Sequence, residues 1–161
     1  MSNTLNDSWG FNIGDSHYKS APEVVRKLVR AAGNNSNLLM NIGPYPNGEI
    51  DPEFVTRLRE VGEWVSKNGE SVYGTRGGPI PPGDWGVTTQ KADKIYVHVL
   101  NWGAPLLALP PIEGKVSATR SLNDGKTIDV TQTASGLILK LPPATKDETD
   151  RIIVLTVGKG S

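Results

Sequence analysis

The hydrophobic pattern of this chain changes its period once, near residues 76–84, and this change limits what the chain can fold into. Before that segment, apolar residues follow helical spacing or form short continuous runs, whereas after it they alternate with polar residues. The segment itself reads Arg-Gly-Gly-Pro-Ile-Pro-Pro-Gly-Asp, which is too rich in Pro and Gly for regular structure. The sequence therefore predicts two parts, residues 1–75 and 85–161, joined by a stiff linker at 76–84.

The first part is predicted to alternate strands with helices. A strand is expected at 4–6, and the capping box Ser20-Ala21-Pro22-Glu23 then opens an amphipathic helix over 21–32. Residues 38–42 form an apolar run that is typical of parallel strands buried on both faces. Asp51 caps a second helix over 52–67, whose apolar stripe includes Phe54, Val55 and Leu58 and whose Trp64 is expected in the core. The order strand, helix, strand, helix is typical of a parallel α/β sheet.

The second part is predicted to be all-β. Turn signals at Asn123-Asp124-Gly125 and Ala134-Ser135-Gly136 separate short segments with a period of two. Such spacing favours an antiparallel sandwich, in which His98 is a structural residue. The predicted strands cover 94–100, 106–109, 115–122, 127–131, 137–141 and 151–157.

Composition and charge exclude several functional classes. The 17 basic and 17 acidic side chains cancel, which argues against nucleic acid and membrane surfaces as partners. No apolar run approaches the ~20 residues that cross a bilayer. The chain has no Cys and only two His residues, so we expect neither a metal site nor a cofactor. The N-terminus does not resemble a signal peptide, which leads us to expect a cytoplasmic protein as expressed.

Short motifs follow one another in a characteristic order along the first part. They are Asn6-Asp7-Ser8-Trp9-Gly10-Phe11-Asn12, Tyr18-Lys19-Ser20, Asn37-Leu38-Leu39-Met40-Asn41-Ile42-Gly43-Pro44 with Gly48-Glu49-Ile50, Gly62-Glu63-Trp64, and Asn68-Gly69-Glu70-Ser71-Val72-Tyr73-Gly74-Thr75. With the strands from Trp85 onward, this set resembles the α-L-fucosidases of glycoside hydrolase family 29. The resemblance implies the last two strand–helix units of a (β/α)8 barrel followed by a C-terminal β-sandwich. It also implies a retaining exo-glycosidase that releases L-fucose from a fucosylated glycan or an aryl fucoside.

Few site residues carry over from that resemblance. Trp9 matches the aromatic position that lines the pocket for the fucose methyl group, but no position matches the catalytic nucleophile or the acid/base. From the residues alone, Asp7 and Glu49 are the catalytic candidates, because active sites of (β/α)8 barrels lie at the carboxyl ends of the strands. At the same face, Asn41 either binds sugar or hydrogen-bonds a loop, and His17 is expected to bond backbone.

The first part presents a difficulty that leaves several hypotheses open. Two strands and two helices do not complete an α/β sheet, since both strand edges stay unpaired. Either the chain is a piece of something larger, or copies complete one another as a homo-oligomer. A ring of about four copies would supply eight strand–helix units, and a dimer is the alternative.

Three functions therefore compete. The first is an α-L-fucosidase completed by self-assembly or evolved as a minimal version. The second is an inactive C-terminal fragment of such an enzyme. The third is a carbohydrate-binding sandwich with Trp85 and Trp102 as a platform, although packing of these two residues in the sandwich core is the favoured interpretation.

Overall fold

The computed structural model describes residues 1–143, 145 and 148–158, so the last three residues of the predicted second part, 159–161, lie outside the described residues. The described residues form ten strands and two α-helices, with more residues in strands than in helices, and they form no closed barrel. Neither helix is long and apolar enough to span a membrane. The helices are α1 (Ala21–Gly33) and α2 (Pro52–Asn68), with a 3-10 turn at Gly69–Ser71. The strands are β1 (Ser2–Thr4), β2 (Leu39–Asn41), β3 (Arg76–Gly77), β4 (Gly86–Lys91), β5 (Lys94–Val99), β6 (Leu106–Leu109), β7 (Lys115–Ser121), β8 (Val130–Thr133), β9 (Gly136–Lys140) and β10 (Arg151–Gly158).

Strands β1 and β2 form the parallel pair that the sequence predicts, with Thr4 opposite Asn41 at its carboxyl end. The predicted bounds of the first strand, 4–6, are wrong, because β1 ends at Thr4. After Thr4, the Leu5 carbonyl accepts the Lys19 backbone N–H at 2.8 Å. This carbonyl therefore bonds to the segment before α1 and not to a neighbouring strand.

Both helices begin at the predicted caps. The Glu23 carboxylate accepts the Ser20 backbone N–H at 2.8 Å and the Ser20 hydroxyl at 2.7 Å. Asp51 caps α2, since its Oδ1 accepts the Glu53 backbone N–H at 2.8 Å. These bonds satisfy donors that a helix N-terminus otherwise leaves unpaired.

Burial in the first part is less complete than predicted. Residues 38–42 were expected to be buried on both faces, but the Leu39 side chain is 64% exposed. On the apolar stripe of α2, Phe54 is buried whereas Val55 and Leu58 are each 39% exposed. The predicted burial is wrong here because a sheet of only two strands gives these side chains little to pack against.

The second part contains two antiparallel sheets that share one apolar core. One sheet has the order β3-β4-β5-β10-β7 and the other has the order β6-β9-β8. In β5 the side chains alternate as predicted: Ile95, Val97 and Val99 enter the shared core, whereas Tyr96 joins a different cluster. Leu137 and Leu139 of β9 contribute to the same shared core from the other sheet.

Most predicted strands of the second part are present, but β3 and β4 were missed. The expectation of no regular structure over 76–84 is wrong at Arg76–Gly77, which pairs with Thr89 and Gln90 of β4. Strand β4 escaped detection because two of its buried residues are threonines, Thr88 and Thr89. The predicted 127–131 strand is shifted, since β8 runs from Val130 to Thr133.

A series of buried hydrogen bonds links the large sheet to the end of α2. The His98 imidazole Nδ1 lies 2.7 Å from Asp150 Oδ2, and its Nε2 lies 3.2 Å from the Thr89 hydroxyl. The Thr89 hydroxyl donates to the Ser71 carbonyl at 2.5 Å, and the Ser71 hydroxyl donates to the Asn68 carbonyl at 2.7 Å. Since the His98 side chain is fully buried, its predicted structural role is confirmed.

Removing one end of this buried series should destabilise the fold strongly. We expect Asp150→Ala to lower the free energy of unfolding by about 3 kcal/mol, because it leaves the buried His98 imidazole without its closest partner. Urea denaturation measures the change. The control is Asp129→Ala, which removes an 80% exposed carboxylate lying 3.9 Å from Lys140 and should change stability little. Equal losses in the two variants would contradict this prediction.

Candidate functional site

The candidate site lies where β1 and β2 end and two loops begin, residues 5–20 and 42–51. Trp9 stands on the first loop with 56% of its surface exposed. The Asn41 amide, at the end of β2, donates to the Trp9 carbonyl at 2.6 Å. Of the two interpretations of Asn41, the structure shows the hydrogen bond to a loop, and this bond holds the Trp9 backbone beside the strand.

The two loops approach each other closely beside Trp9. A Cβ added to Gly43 would lie 2.5 Å from the Gly10 carbonyl carbon, so any larger residue at position 43 would push the loops apart. Further along, the rings of Phe11 and Tyr45 meet edge to face, with centroids 5.5 Å apart. The loops therefore form one packed unit, and the exposed indole is carried by a supported backbone.

Asp15 organises the first loop from within. Its Oδ2 accepts the backbone N–H groups of Ser8 at 2.7 Å and Asp7 at 3.1 Å, and its Oδ1 accepts that of His17 at 3.3 Å. Hydrogen bonds, foremost from the Ser8 hydroxyl, hold the pKa of Asp15 below its ordinary value. Asp15 therefore closes the loop as a carboxylate.

The two catalytic candidates, Asp7 and Glu49, each contact side chains that lie nearby in the sequence. The Asp7 carboxylate lies 3.1 Å from His17 Nδ1 and 3.8 Å from Lys19 Nζ, and its side chain is 65% exposed. The His17 ring therefore contacts a carboxylate and not the backbone that was expected. Glu49 is exposed in a turn, where its carboxylate accepts the Asn47 amide at 2.9 Å. Within the part of the chain that the structure describes, no hydrogen bond or ion pair joins Asp7 to Glu49.

Asp51 has a second role that the sequence did not reveal. Besides capping α2, it accepts the Tyr18 hydroxyl at 2.7 Å and the Tyr45 hydroxyl at 2.9 Å, both through Oδ2. These hydrogen bonds, led by that of Tyr18, lower the pKa of Asp51. One carboxylate thus fixes both loops of the site. Tyr18 lies 33 positions from Asp51, a separation at which no short-range pattern predicts a contact.

A buried acceptor at the same face has no partner within the described residues. Asn6 follows β1, is 4% exposed, and its side-chain Oδ1 makes no hydrogen bond there. Its backbone carbonyl accepts Lys19 Nζ at 2.6 Å. Because an unpaired buried acceptor is costly, the Asn6 side chain is suited to a donor from outside the described residues.

The arrangement supports binding more clearly than catalysis. Across residues 1–143, 145 and 148–158, no group of three His, Asp or Glu side chains is placed to hold a metal ion. The exposed Trp9 ring offers an apolar surface of the kind that packs against a sugar. Retaining glycoside hydrolysis needs two carboxyl groups ~5–5.5 Å apart, and no contact recorded for Asp7 or Glu49 provides such a pair.

The comparisons with known proteins all find α-L-fucosidases. Residues 1–70 match the family model described as alpha-L-fucosidase. The human plasma alpha-L-fucosidase is 31% identical over 149 residues, which is 86% of this chain and 32% of that protein. The alpha-L-fucosidase of Branchiostoma floridae is 31% identical over 153 residues, covering 88% of this chain and 33% of the relative.

Solved structures extend the similarity to nearly the whole chain. Alpha-L-fucosidase isoenzyme 1 from Paenibacillus thiaminolyticus superposes with a TM-score of 0.88 and 34% identity, over 98% of this chain and 39% of that one. An alpha-L-fucosidase of glycoside hydrolase family 29 from Bacteroides thetaiotaomicron gives a TM-score of 0.87 at 26% identity, over 98% of this chain. The resemblance seen in the motifs is therefore confirmed. The chain spans about a third of the length of the curated relatives that it matches.

Tyr18 and Tyr45 both donate hydrogen bonds to Asp51, and we predict that Tyr18 therefore ionises at an unusually high pH. The hydrogen bond to Asp51, with burial and the negative charge of that carboxylate, raises the pKa of Tyr18 to about 12. Because the folded pKa exceeds the ordinary value of ~10, this contribution to stability is complete below pH ~10 and is lost as the pH rises towards 12.

Ultraviolet titration of tyrosine ionisation measures this effect. We expect one tyrosine to ionise near pH 12 in the folded protein and to do so at lower pH in Asp51→Asn, which lacks the carboxylate charge. The control Glu49→Gln should leave the Tyr18 titration unchanged. Identical profiles for the parent protein and Asp51→Asn would contradict the role assigned to Asp51.

Proposed function

We propose that this chain, which is related over nearly its whole length to part of the α-L-fucosidases of glycoside hydrolase family 29, forms one wall of the fucose site in a retaining exo-α-L-fucosidase. The observation that carries this proposal is the position of Trp9. It is exposed at the carboxyl end of a parallel strand pair, on a loop that Asn41 ties to the neighbouring strand. That end is the face at which (β/α)8 barrels bind substrate.

The proposed architecture assigns a place to each part of the chain. Residues 1–75 would be the last two strand–helix units of a (β/α)8 barrel, which the parallel β1–β2 pair and the two helices support. Residues 76–84 would connect them to a β-sandwich that begins at residue 85. Two antiparallel sheets with a common apolar core support the sandwich assignment.

In the proposed reaction this chain binds and positions the sugar. A retaining glycosidase uses one carboxyl group as nucleophile and a second as acid/base. The Bacteroides thetaiotaomicron relative is described as a trapped covalent intermediate with a fucosyl ligand, which supports the retaining course. Trp9 would cover the apolar methyl group of fucose and exclude water from the developing charge. Asn41 and Asp51 would act as positioning residues by holding the loops.

We infer that the two catalytic carboxyl groups come from outside one copy of this chain. Asp7 is engaged by His17 and Lys19, and Glu49 by Asn47. Exposed apolar side chains at the strand pair and on its loop, such as Leu39 at 64% and Ile13 at 93%, leave surface for further polypeptide. Because the chain spans about a third of its relatives, the rest of such an enzyme is the first candidate to cover this surface. Further copies of the chain, as a homo-oligomer, are the second source.

Hydrolysis and solution mass, measured on the same sample, test this inference. We expect a monomer at low concentration to leave an aryl α-L-fucoside intact. If copies complete one another, hydrolysis should rise with the oligomer fraction across a concentration series followed by light scattering. An inactive monomer at every concentration would assign the missing carboxyl groups to other segments of a longer enzyme. A monomer that cleaves the fucoside would contradict the inference.

Trp9→Ala tests the binding role in any assembly that is active. Loss of an apolar wall costs about 1–3 kcal/mol in transition-state binding, so kcat/KM for an α-L-fucoside should fall about 10–200-fold. Thermal stability should change little, because Trp9 is 56% exposed. The control is Ile138→Ala on β9, where the side chain is 44% exposed and lies outside the loops of the site. Unchanged kinetics in Trp9→Ala would place the ring outside the site.

A further inference from the structure

The chain contains two Asn-Gly pairs, Asn47-Gly48 and Asn68-Gly69. Such a pair is chemically labile, because glycine has no side chain to shield its backbone nitrogen from the carboxamide of the preceding asparagine. Since both pairs consist of the same two residues, their surroundings in the fold decide how each behaves. The structure places the first pair in a loop of the candidate site and the second at the end of α2.

The first pair stands in an exposed turn. Residues 46–50 are all exposed, and two backbone hydrogen bonds close the turn. The Tyr45 N–H donates to the Glu49 carbonyl and the Gly48 N–H donates to the Tyr45 carbonyl, each at 2.8 Å. Gly48 has a φ of +85°, and a Cβ added to it would meet nothing within 4 Å. The Gly48 nitrogen therefore lies at the protein surface, where its hydrogen bond to Tyr45 must open before this nitrogen reacts.

The Asn47 side chain is folded along its own backbone. Its Oδ1 accepts the Glu49 backbone N–H at 3.1 Å, and its Nδ2 donates to the Glu49 carboxylate at 2.9 Å. An asparagine that bonds the backbone two residues on forms a local turn over the intervening peptide. The Asn47 carboxamide is thus held over its peptide bond to Gly48. If Cγ is attacked, the Glu49 N–H is in place to stabilise the negative charge that develops on Oδ1.

The second pair is held differently. Asn68 is 6% exposed, and its Nδ2 donates to the Trp64 carbonyl at 3.0 Å, one helical turn earlier in the chain. Gly69 keeps a helical backbone with a φ of −59°. The Asn68 carbonyl also accepts the Ser71 hydroxyl at 2.7 Å. The Asn68 carboxamide is therefore buried and bonded back towards the helix, away from the Gly69 nitrogen.

We propose that Asn47 is a site of spontaneous deamidation in the folded protein and that Asn68 is protected from it. The Gly48 nitrogen forms a bond to Asn47 Cγ, the bond from Cγ to Nδ2 breaks, and the amide leaves as ammonia with the former Gly48 amide proton. Water then opens the resulting succinimide ring at either carbonyl group, which gives aspartate or isoaspartate at position 47. The overall reaction consumes one water and releases one ammonia.

The product changes the loop that carries Tyr45. Either product places a second carboxylate beside Glu49, and isoaspartate also adds one carbon to the backbone of the turn. The longer backbone no longer fits the two hydrogen bonds that close the turn. Tyr45, whose ring meets Phe11 and whose hydroxyl bonds to Asp51, is then less well held. Deamidation is therefore a one-way change in the charge and order of a candidate-site loop, and it does not depend on hydrolytic activity.

Mass spectrometry of the full chain, kept in warm, mildly alkaline buffer and then digested with pepsin at acidic pH, tests the proposal. We expect the peptide that contains Asn47 to gain one mass unit progressively as ammonia is released, whereas Asn68 stays an amide. In urea, where the fold no longer protects it, Asn68 should react as well. Hydrogen exchange at the Tyr45 backbone N–H should rise in the modified protein.

Three variants locate the reaction. Asn47→Gln should abolish the mass gain, because its longer side chain would have to close a six-membered ring. Gly48→Ala should slow it, because a methyl group shields the nitrogen. The matched control Asn37→Gln, at another exposed asparagine, should leave it unchanged. Asn47 that stays an amide for as long as Asn68 in the folded protein would overturn the proposal. So would a mass gain only at other asparagines, an equal rate in Gly48→Ala, or an unreactive Asn68 in urea.

Discussion

The packing of α1 against β4 joins the strand–helix part of the protein to its large antiparallel sheet. Val25 and Val29 of α1 are buried in one cluster with Val87 of β4 and Leu100. The approach is so close that a Cβ on Gly33 would lie 2.6 Å from the Val87 Cβ. This apolar contact fixes the strand–helix part against the large sheet. The buried hydrogen-bonded series from Asp150 through His98 to the end of α2 is a second link between these two parts.

The candidate site is well formed although the sheet beneath it has only two strands, because its loops are held locally. The loops at the carboxyl ends of β1 and β2 are held by Asn41, Asp15 and Asp51, each through hydrogen bonds within the chain. Trp9 is thereby presented on a supported backbone. In the proposed enzyme the catalytic carboxyl groups come from elsewhere, and this chain would contribute position and apolar surface.

The second part of the chain is held together by a different kind of contact. Side chains from both of its sheets pack into one apolar core, which makes it a stable support for the strand–helix part.

Local signals predicted the helices well, because caps such as Ser20–Glu23 and Asp51 act within a few residues. Period-two patterning likewise identified β5 and its two faces. Local patterns alone therefore predict where the helices begin and which half is all-β, and the residues around Trp9 resemble a motif of the α-L-fucosidases. The folded chain was needed to show that Asn41 bonds the Trp9 loop and that Asp51 joins Tyr18 of the first loop to the start of α2. Those features join residues far apart in the chain, and their energy comes from burial and hydrogen bonds that exist only once the elements have packed.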